Sequence, residues 1–290
     1  MMQIPFIKMH GLGNNYIYLD FFQHTIAEEK LSELAKTISD VHTGIGSDGL
    51  IIIHPSEVAD VGMRIFNKDG SEGQSCGNGL RCTAKYAYEQ GIVAEKQFQI
   101  ETKANKVVAE VQVINGKVDH VTINMGKPYL KRELIPMQGE PKTKVIAERF
   151  EIQGEVLELT ALSMGNPHAV FIVEQVSKKQ VSQLGPLVEK DPRFPQGVNV
   201  EFIEILSPNE INFSVWERGS GITQACGTGA CAAVVAGILN DRLERNESVK
   251  VHLPGGDLDI TWDNDGDVWM TGGAELIATG FYEAAHLFKV

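Results

Sequence analysis

Two cysteines sit at the centre of one repeated pattern. Gln74-Ser75-Cys76-Gly77-Asn78-Gly79 and Gln224-Ala225-Cys226-Gly227-Thr228-Gly229 lie 150 residues apart, and Met63-Arg64-Ile65-Phe66-Asn67 runs against Phe213-Ser214-Val215-Trp216-Glu217 at the same offset. Each copy reads as a strand, a Gly-rich loop and then a helix that begins just after the cysteine. Backbone N–H groups at a helix start lack partners and carry the positive end of the helix dipole. Glycines let that backbone approach a ligand closely. Such a loop suits a carboxylate. The same field favours thiolate over thiol, so each cysteine is expected to titrate below its usual value of about 8.5.

Two such loops facing one substrate carbon could invert it. One thiolate takes a proton from one face and the other thiol returns a proton to the opposite face; exchanging the roles runs the reverse reaction. Charge that develops on an adjacent carboxylate would be stabilised by the helix-start N–H groups, as in an oxyanion hole. A cysteine is more often a small buried hydrophobe. That reading fits Cys82 and Cys231, which fall inside the predicted helices, and fits Cys76 and Cys226 poorly, because they stand in Gly-rich loops. The four cysteines contain no Cys-x-x-Cys, which argues against redox exchange and against a metal site.

Other polar residues fall at equivalent places. Asn14 and Asn166 follow glycines in loops that match at an offset of 152, and Asn67 and Glu217 each stand nine residues before a cysteine. Arg218 could grip a carboxylate with two parallel hydrogen bonds, and His168 could support a base. Singly, an Asn in a turn is turn chemistry, and Glu217-Arg218 is equally a solvated strand end. The duplication groups them as one set.

The elements that must position this set also repeat. In the first half, strands are predicted over 4–9, 16–21, 50–53, 62–66, 98–101, 106–113 and 117–124. A helix over 28–39 carries Leu31, Leu34, Ala35 and Ile38 on one face, and a second covers 79–89 with Gly91 as its stop. Asn115-Gly116 marks a hairpin. In the second half, strands are predicted over 156–163, 169–173, 200–205, 211–216, 249–253, 258–262, 268–271 and 275–281, with helices over 177–189 and 229–240. Residues 136–144, with Pro, Gly and Lys, are expected to be a linker. A period this long is a duplicated domain rather than a solenoid, which implies a cleft between two pseudo-symmetric halves. The expected fold class is α/β of the α+β kind.

The chain has 290 residues, 43% hydrophobic and 22% charged, which suits about two globular domains. A net charge of -12 and the lack of a Lys/Arg stripe argue against a nucleic-acid partner. No apolar run approaches the roughly 20 residues of a membrane span, and the first 13 residues lack a signal-peptide pattern. The default expectation is therefore cytoplasmic, with no membrane partner and no structural disulfide.

The chain resembles the diaminopimelate epimerase family over nearly its whole length. The resemblance is carried by Lys8-Met9-His10-Gly11-Leu12-Gly13-Asn14, Ile65-Phe66-Asn67, Asp69-Gly70-Ser71-Glu72, Ser163-Met164-Gly165-Asn166-Pro167-His168, Glu217-Arg218-Gly219-Ser220-Gly221, and both cysteine loops with Ala230-Cys231. It implies a two-base epimerase that needs neither cofactor nor metal and interconverts LL- and meso-2,6-diaminopimelate, on the route to lysine and peptidoglycan. It implies two similar domains, each a mainly antiparallel sheet curled around a central helix, with the site in the interdomain cleft. The halves are drawn at 1–125 and 126–277, and the C-terminal strand, 278–290, can belong to the first. Cys76 and Cys226 would be the acid–base thiols, helped by His168 and Glu217. Gly77, Asn78, Gly227 and Thr228 would surround the reacting carboxylate. Asn14, Asn67, Asn166, Asn199, Glu217 and Arg218 would bind the rest of the substrate. A homodimer is a further implication. Gly49 stands where the family often has Gln, and Asn15 where it commonly has Asp, so no contact is carried over at 49. Retention of both thiols argues against a noncatalytic amino-acid-binding protein; a racemase of another amino acid would use the same pair.

Overall fold

A computed structural model of the protein describes residues 3–284. The chain divides into two compact units, Met1–Ile123 with Gly272–Val290, and Asn124–Thr271. In chain order the first contains β1 (Gln3–Gly11), β2 (Asn14–Asp20), α1 (Glu28–Ser39), β3 (Gly49–His54), β4 (Val61–Asn67), α2 (Gly77–Glu89), β5 (Gln97–Glu101), β6 (Lys106–Ile114) and β7 (Lys117–Asn124). The second contains β8 (Val145–Ile152), β9 (Glu155–Ser163), β10 (Pro167–Ile172), α3 (Lys178–Glu189), β11 (Asn199–Ser207), β12 (Glu210–Glu217), β13 (Gly221–Ile222), α4 (Gly227–Leu239), β14 (Ser248–Leu253), β15 (Gly256–Trp262) and β16 (Val268–Gly272). The last strand, β17 (Glu275–Glu283), pairs antiparallel with β1. The part of the expected C-terminal strand beyond 284 lies outside the described residues.

Strand pairing repeats between the units. The first runs β17-β1-β2-β3-β4-β5-β6-β7 and the second β8-β9-β10-β11-β12-β14-β15-β16. All joints are antiparallel except β2–β3 and β4–β5 in one unit and β10–β11 and β12–β14 in the other. Those are the joints where a helix intervenes in sequence, since parallel neighbours need a long crossover. β8 flanks β9 from upstream; the equivalent flank on β1 comes from the chain's end, as β17.

The two helices of each unit pack differently. α1 buries only one stripe, Leu31, Leu34, Ala35 and Ile38, in a core with Ile17, Leu19, Leu50, Ile52 and Phe66. α2 is buried along most of its length and packs on β1, β4 and β6. α4, Gly-Thr-Gly-Ala-Cys-Ala-Ala-Val-Val-Ala-Gly-Ile-Leu, is apolar all round because β9, β10, β11, β12 and β15 enclose it. These are the central helices, and no helix among the described residues is long and apolar enough to cross a membrane.

Two expectations need correction. Residues 136–144 are not a linker: Met137, like Ile135 just before the stretch, is buried in the core around α3, and the Gln138 N–H donates to the Arg193 carbonyl at 2.8 Å. A single apolar anchor hidden in a Pro/Gly/Lys-rich stretch defeats a reading by composition. β8 was not expected at all. Only Val145 and Phe150 of it are buried, and a bulge between Val145 and Glu148, with Ala147 at φ 47°, breaks its alternation.

Gly49 has a packing reason. It pairs with Asn67, and a Cβ there would lie 2.2 Å from the Phe66 carbonyl oxygen and 3.1 Å from Tyr16 Cε1. Backbone cannot retreat as a flexible side chain can. Gly49→Ala is expected to lower the unfolding free energy by about 1–3 kcal/mol through overpacking, read as a lower urea midpoint; an unchanged midpoint would show that β3 and β4 separate freely.

Candidate active site

Period-two alternation decides which residues reach each cysteine. In β2, Ile17 and Leu19 enter the core beneath α1, which turns Tyr16 and Tyr18 towards α2. In β10, Ala169 and Phe171 enter the core beneath α3, as do Val200 and Phe202 of β11, which turns His168 and Glu201 towards α4. The cysteine loops then close over those inner faces.

Cys76 is itself the N-cap of α2, with φ −148° and ψ 116°, and accepts from the Gly79 N–H at 3.5 Å. Its sulfur lies 3.8 Å from both Asn14 Oδ1 and the Tyr16 hydroxyl. A polar chain passes beside it. Buried Arg81 donates to Asn78 Oδ1 at 3.0 Å, Asn78 Nδ2 donates to Asn14 Oδ1 at 3.0 Å, and Asn14 Nδ2 donates to Asp48 Oδ2 at 2.8 Å. Cation and carboxylate at its ends fix the orientation of both amides.

Cys226 is the N-cap of α4, and its sulfur is 3.7 Å from Thr228 Oγ1. Asn166 Nδ2 donates to that hydroxyl at 3.3 Å, so its amide oxygen faces His168 Nε2, 2.9 Å away. An amide oxygen only accepts, so Nε2 carries a hydrogen. His168 Nδ1 is 2.7 Å from Glu201 Oε1, and both side chains are fully buried. Between them Nδ1 and Oε1 therefore hold one proton. Asn14 and Asn166 thus do equivalent work, each bonding the second residue after its cysteine.

Gly77 and Gly227 are the buried first residues of α2 and α4. Asn67 and Glu217 close equivalent turns, in which the Gly70 N–H and the Ser220 N–H donate to their carbonyls at 2.8 and 3.0 Å. Asn67 is exposed and donates to Ser71 Oγ at 3.0 Å; Glu217 is half-buried and accepts from the Thr223 hydroxyl. Exposed Arg218 donates through Nη1 to the Gln196 carbonyl at 2.9 Å. Asn199 is buried, accepts from the Arg218 N–H at 3.0 Å and donates to the Pro167 carbonyl at 3.1 Å, so it holds the turn that carries Arg218.

The expectation of lowered thiol pKa values is overturned. Burial pushes the Cys76 thiol up, against the opposing pull of the Gly79 and Asn78 N–H groups, the Tyr16 hydroxyl and the Arg81 charge. Burial pushes the Cys226 thiol well up, and Glu217 and Glu201 push it further. The helix starts do supply donors, but loss of water around the sulfur outweighs them. Cys82 and Cys231 are fully buried inside the helices, and burial moves Cys82 up to about 11.

Sequence reading passed over three residues beside the thiols: Tyr16, Arg81 and Glu201. The repeat held the signal. Tyr16 matches His168 at the offset of the asparagines, while Ile51 matches Glu201 and Arg81 matches Cys231 at the offset of the cysteines. A charged residue opposite an apolar or uncharged one, inside a buried element, marks these positions.

The family model for diaminopimelate epimerase matches residues 6–131 and 160–277. Diaminopimelate epimerase of Oceanobacillus iheyensis is 64% identical over 281 residues, 97% of this chain and 98% of that protein. Diaminopimelate epimerase of Geobacillus thermodenitrificans is 61% identical over 282 residues, 97% of each. Among solved structures, the fold is similar to a hydroxyproline epimerase from Agrobacterium vitis (TM-score 0.67, 15% identity, 97% of this chain and 91% of that one). It is also similar to a methylitaconate-delta-isomerase (TM-score 0.68, 16% identity, 100% and 98%). With both cysteine loops inside the matched residues and sequence identity carried through both units, the chain belongs to the diaminopimelate epimerase family.

Proposed function

We propose that this protein epimerises diaminopimelate, interconverting the LL and meso forms without a cofactor, as an enzyme of lysine and peptidoglycan precursor synthesis. The observation that supports it most is that each cysteine N-caps the central helix of its unit and that matching asparagines bond the second residue after each cysteine. In this reading one sulfur, as thiolate, removes the α-proton and becomes a thiol. The electron pair left on carbon delocalises into the α-carboxylate, held by the N–H groups at the starts of α2 and α4 around Gly77, Asn78, Gly227 and Thr228. The other thiol delivers its proton to the opposite face and is left as the thiolate, so charge and protons balance and the next turnover runs in reverse.

Asn14, Asn67 and Asn166 would bind the substrate's polar groups, and Glu217 and Arg218 its ammonium and carboxylate groups. Asn199 would act by holding the Arg218 backbone. A cytoplasmic homodimer completes the reading; Leu276, Ile277 and Phe281 are exposed along β17 and offer an apolar face for a second copy.

The test is purified protein with LL-diaminopimelate in D2O and no added cofactor. Inversion with one deuterium entering at the α-carbon is expected. Turnover of a different amino acid instead would make the protein a racemase of that substrate, and binding without exchange would make it a binding protein.

A further inference from the structure

The turn that carries Glu217 and Arg218 is gripped from α3. Glu189, the last residue of that helix, is half-buried and reaches both sides of the pair with one carboxylate. Its Oε2 accepts from the Trp216 indole N–H at 2.7 Å, just before the pair, and its Oε1 accepts from the Gly219 backbone N–H at 3.0 Å, just after it. Trp216 is itself pinned against α3: a Cβ on Gly185 would lie 2.5 Å from Trp216 Cβ. Between the two anchors, the Arg218 N–H donates to Asn199 Oδ1 at 3.0 Å. The Arg218 side chain crosses Gly197, where a Cβ would lie 3.0 Å from its Cδ, and Nη1 donates to the Gln196 carbonyl at 2.9 Å. An arginine fork has five N–H donors, so this bond aims the exposed guanidinium without using it up.

Local helix chemistry gives no reason for an acid at this place. The C-terminal end of a helix carries the negative end of the dipole, which disfavours a carboxylate there. Two hydrogen bonds to an ionised acceptor offset that cost, each roughly twice as strong as a neutral one. Both partners only donate, so a carboxylate, which only accepts, suits them and an amide does not.

The first unit has no such clamp. At the offset of the cysteines Glu189 matches Ser39, Trp216 matches Phe66 and Arg218 matches Lys68. Ser39 accepts from the Ser47 hydroxyl at 3.0 Å, and Phe66 has no side-chain N–H to give. The equivalent turn is held instead by Ser32 of α1, which donates to the Gly70 carbonyl at 2.8 Å. The clamp therefore belongs to the unit whose turn carries the Glu-Arg pair.

We infer that Glu189 is a positioning residue for substrate recognition: by tying Trp216 and Gly219 together it fixes where Glu217 and Arg218 present their charges, and so sets the affinity for a ligand that carries both an ammonium and a carboxylate group. Its meaning for catalysis rests on the proposal above that this pair holds such groups of diaminopimelate. A part of the substrate that does not react is held equally before and in the transition state, so a loosened grip raises KM and leaves kcat in place.

The test uses Glu189→Gln alone and together with Trp216→Phe. In Glu189→Gln the amide can offer its oxygen to only one N–H, and its NH2 group faces the other. KM for LL-diaminopimelate is expected to rise about tenfold, the scale of one hydrogen bond to a charged group, with kcat held within about twofold. Hydrogen exchange at the Gly219 N–H, followed by NMR, is expected to quicken. Trp216→Phe removes the competing donor, so the amide oxygen can turn to Gly219. Measured against Trp216→Phe alone, the added Glu189→Gln change is expected to raise KM less than about threefold, a rescue that a general loss of packing would not give. An unchanged KM in an active Glu189→Gln enzyme would overturn the inference even with quicker exchange, as would a rise in KM that persists in full in the Trp216→Phe background. Absence of diaminopimelate turnover by the unaltered protein would instead remove the proposed function, and unchanged Gly219 exchange in Glu189→Gln would still overturn this inference.

Discussion

Cys76→Ala and Cys226→Ala are each expected to lower the rate of inversion by at least about 10²–10⁴-fold, the usual contribution of one positioned acid or base. Inversion needs both partners, so losing either leaves a protein able to act on one face only. The double variant should therefore be little slower than the worse single one, as with residues that act as a unit. A single-thiol variant has one further expected property. The remaining sulfur can remove an α-proton and return a solvent proton to the same face. Each variant should then exchange α-hydrogen with D2O for one stereoisomer, with configuration retained. Chiral chromatography together with mass spectrometry separates the two events. Full inversion in either variant would sink the two-base mechanism.

How much of this was legible in the residues can be argued from three positions. The cysteine loops were visible because chemistry at a helix start demands glycines and a polar cap in fixed order, and duplication printed that order twice. The helix over Glu28–Ser39 was visible because a half-exposed helix must alternate its faces. β8 was not, since a bulged strand with two buried side chains has no period to detect. Within the site, symmetry guided the reading to residues that match, such as Asn14 and Asn166. It drew the eye away from Glu201, whose partner in the repeat is Ile51. Thiol acidity was misjudged for a different reason: dipole and N–H donors can be read from loop sequence, whereas burial depends on what β2, β10 and β11 place around the sulfur.

The buried pair His168–Glu201 supports the largest stability prediction. His168→Leu leaves the Glu201 carboxyl fully buried without its partner and is expected to cost about 3–5 kcal/mol of unfolding free energy. The cost has a defined pH dependence. In His168→Leu the isolated acid folds protonated, so its folded pKa lies above the value of about 4.3 in the unfolded chain. A raised pKa gives stability that is complete below that unfolded value and is lost as pH rises. Measured against a protein that lacks both groups, His168→Leu should therefore lose stability as pH rises above about 4.3. Replacing both partners should be far milder. His168→Tyr with Glu201→Ile reproduces the Tyr16 and Ile51 that occupy the equivalent places beneath α2, removing charge and partner together. Buried ion pairs exchanged whole for packed side chains are often neutral, so the double variant should recover at least half of the single variant's loss. Urea unfolding at pH 5, 6 and 8 reads both effects. Additive losses, or a stability difference between His168→Leu and the double variant that does not change between pH 5 and 8, would show that Glu201 does not depend on His168 as its buried partner.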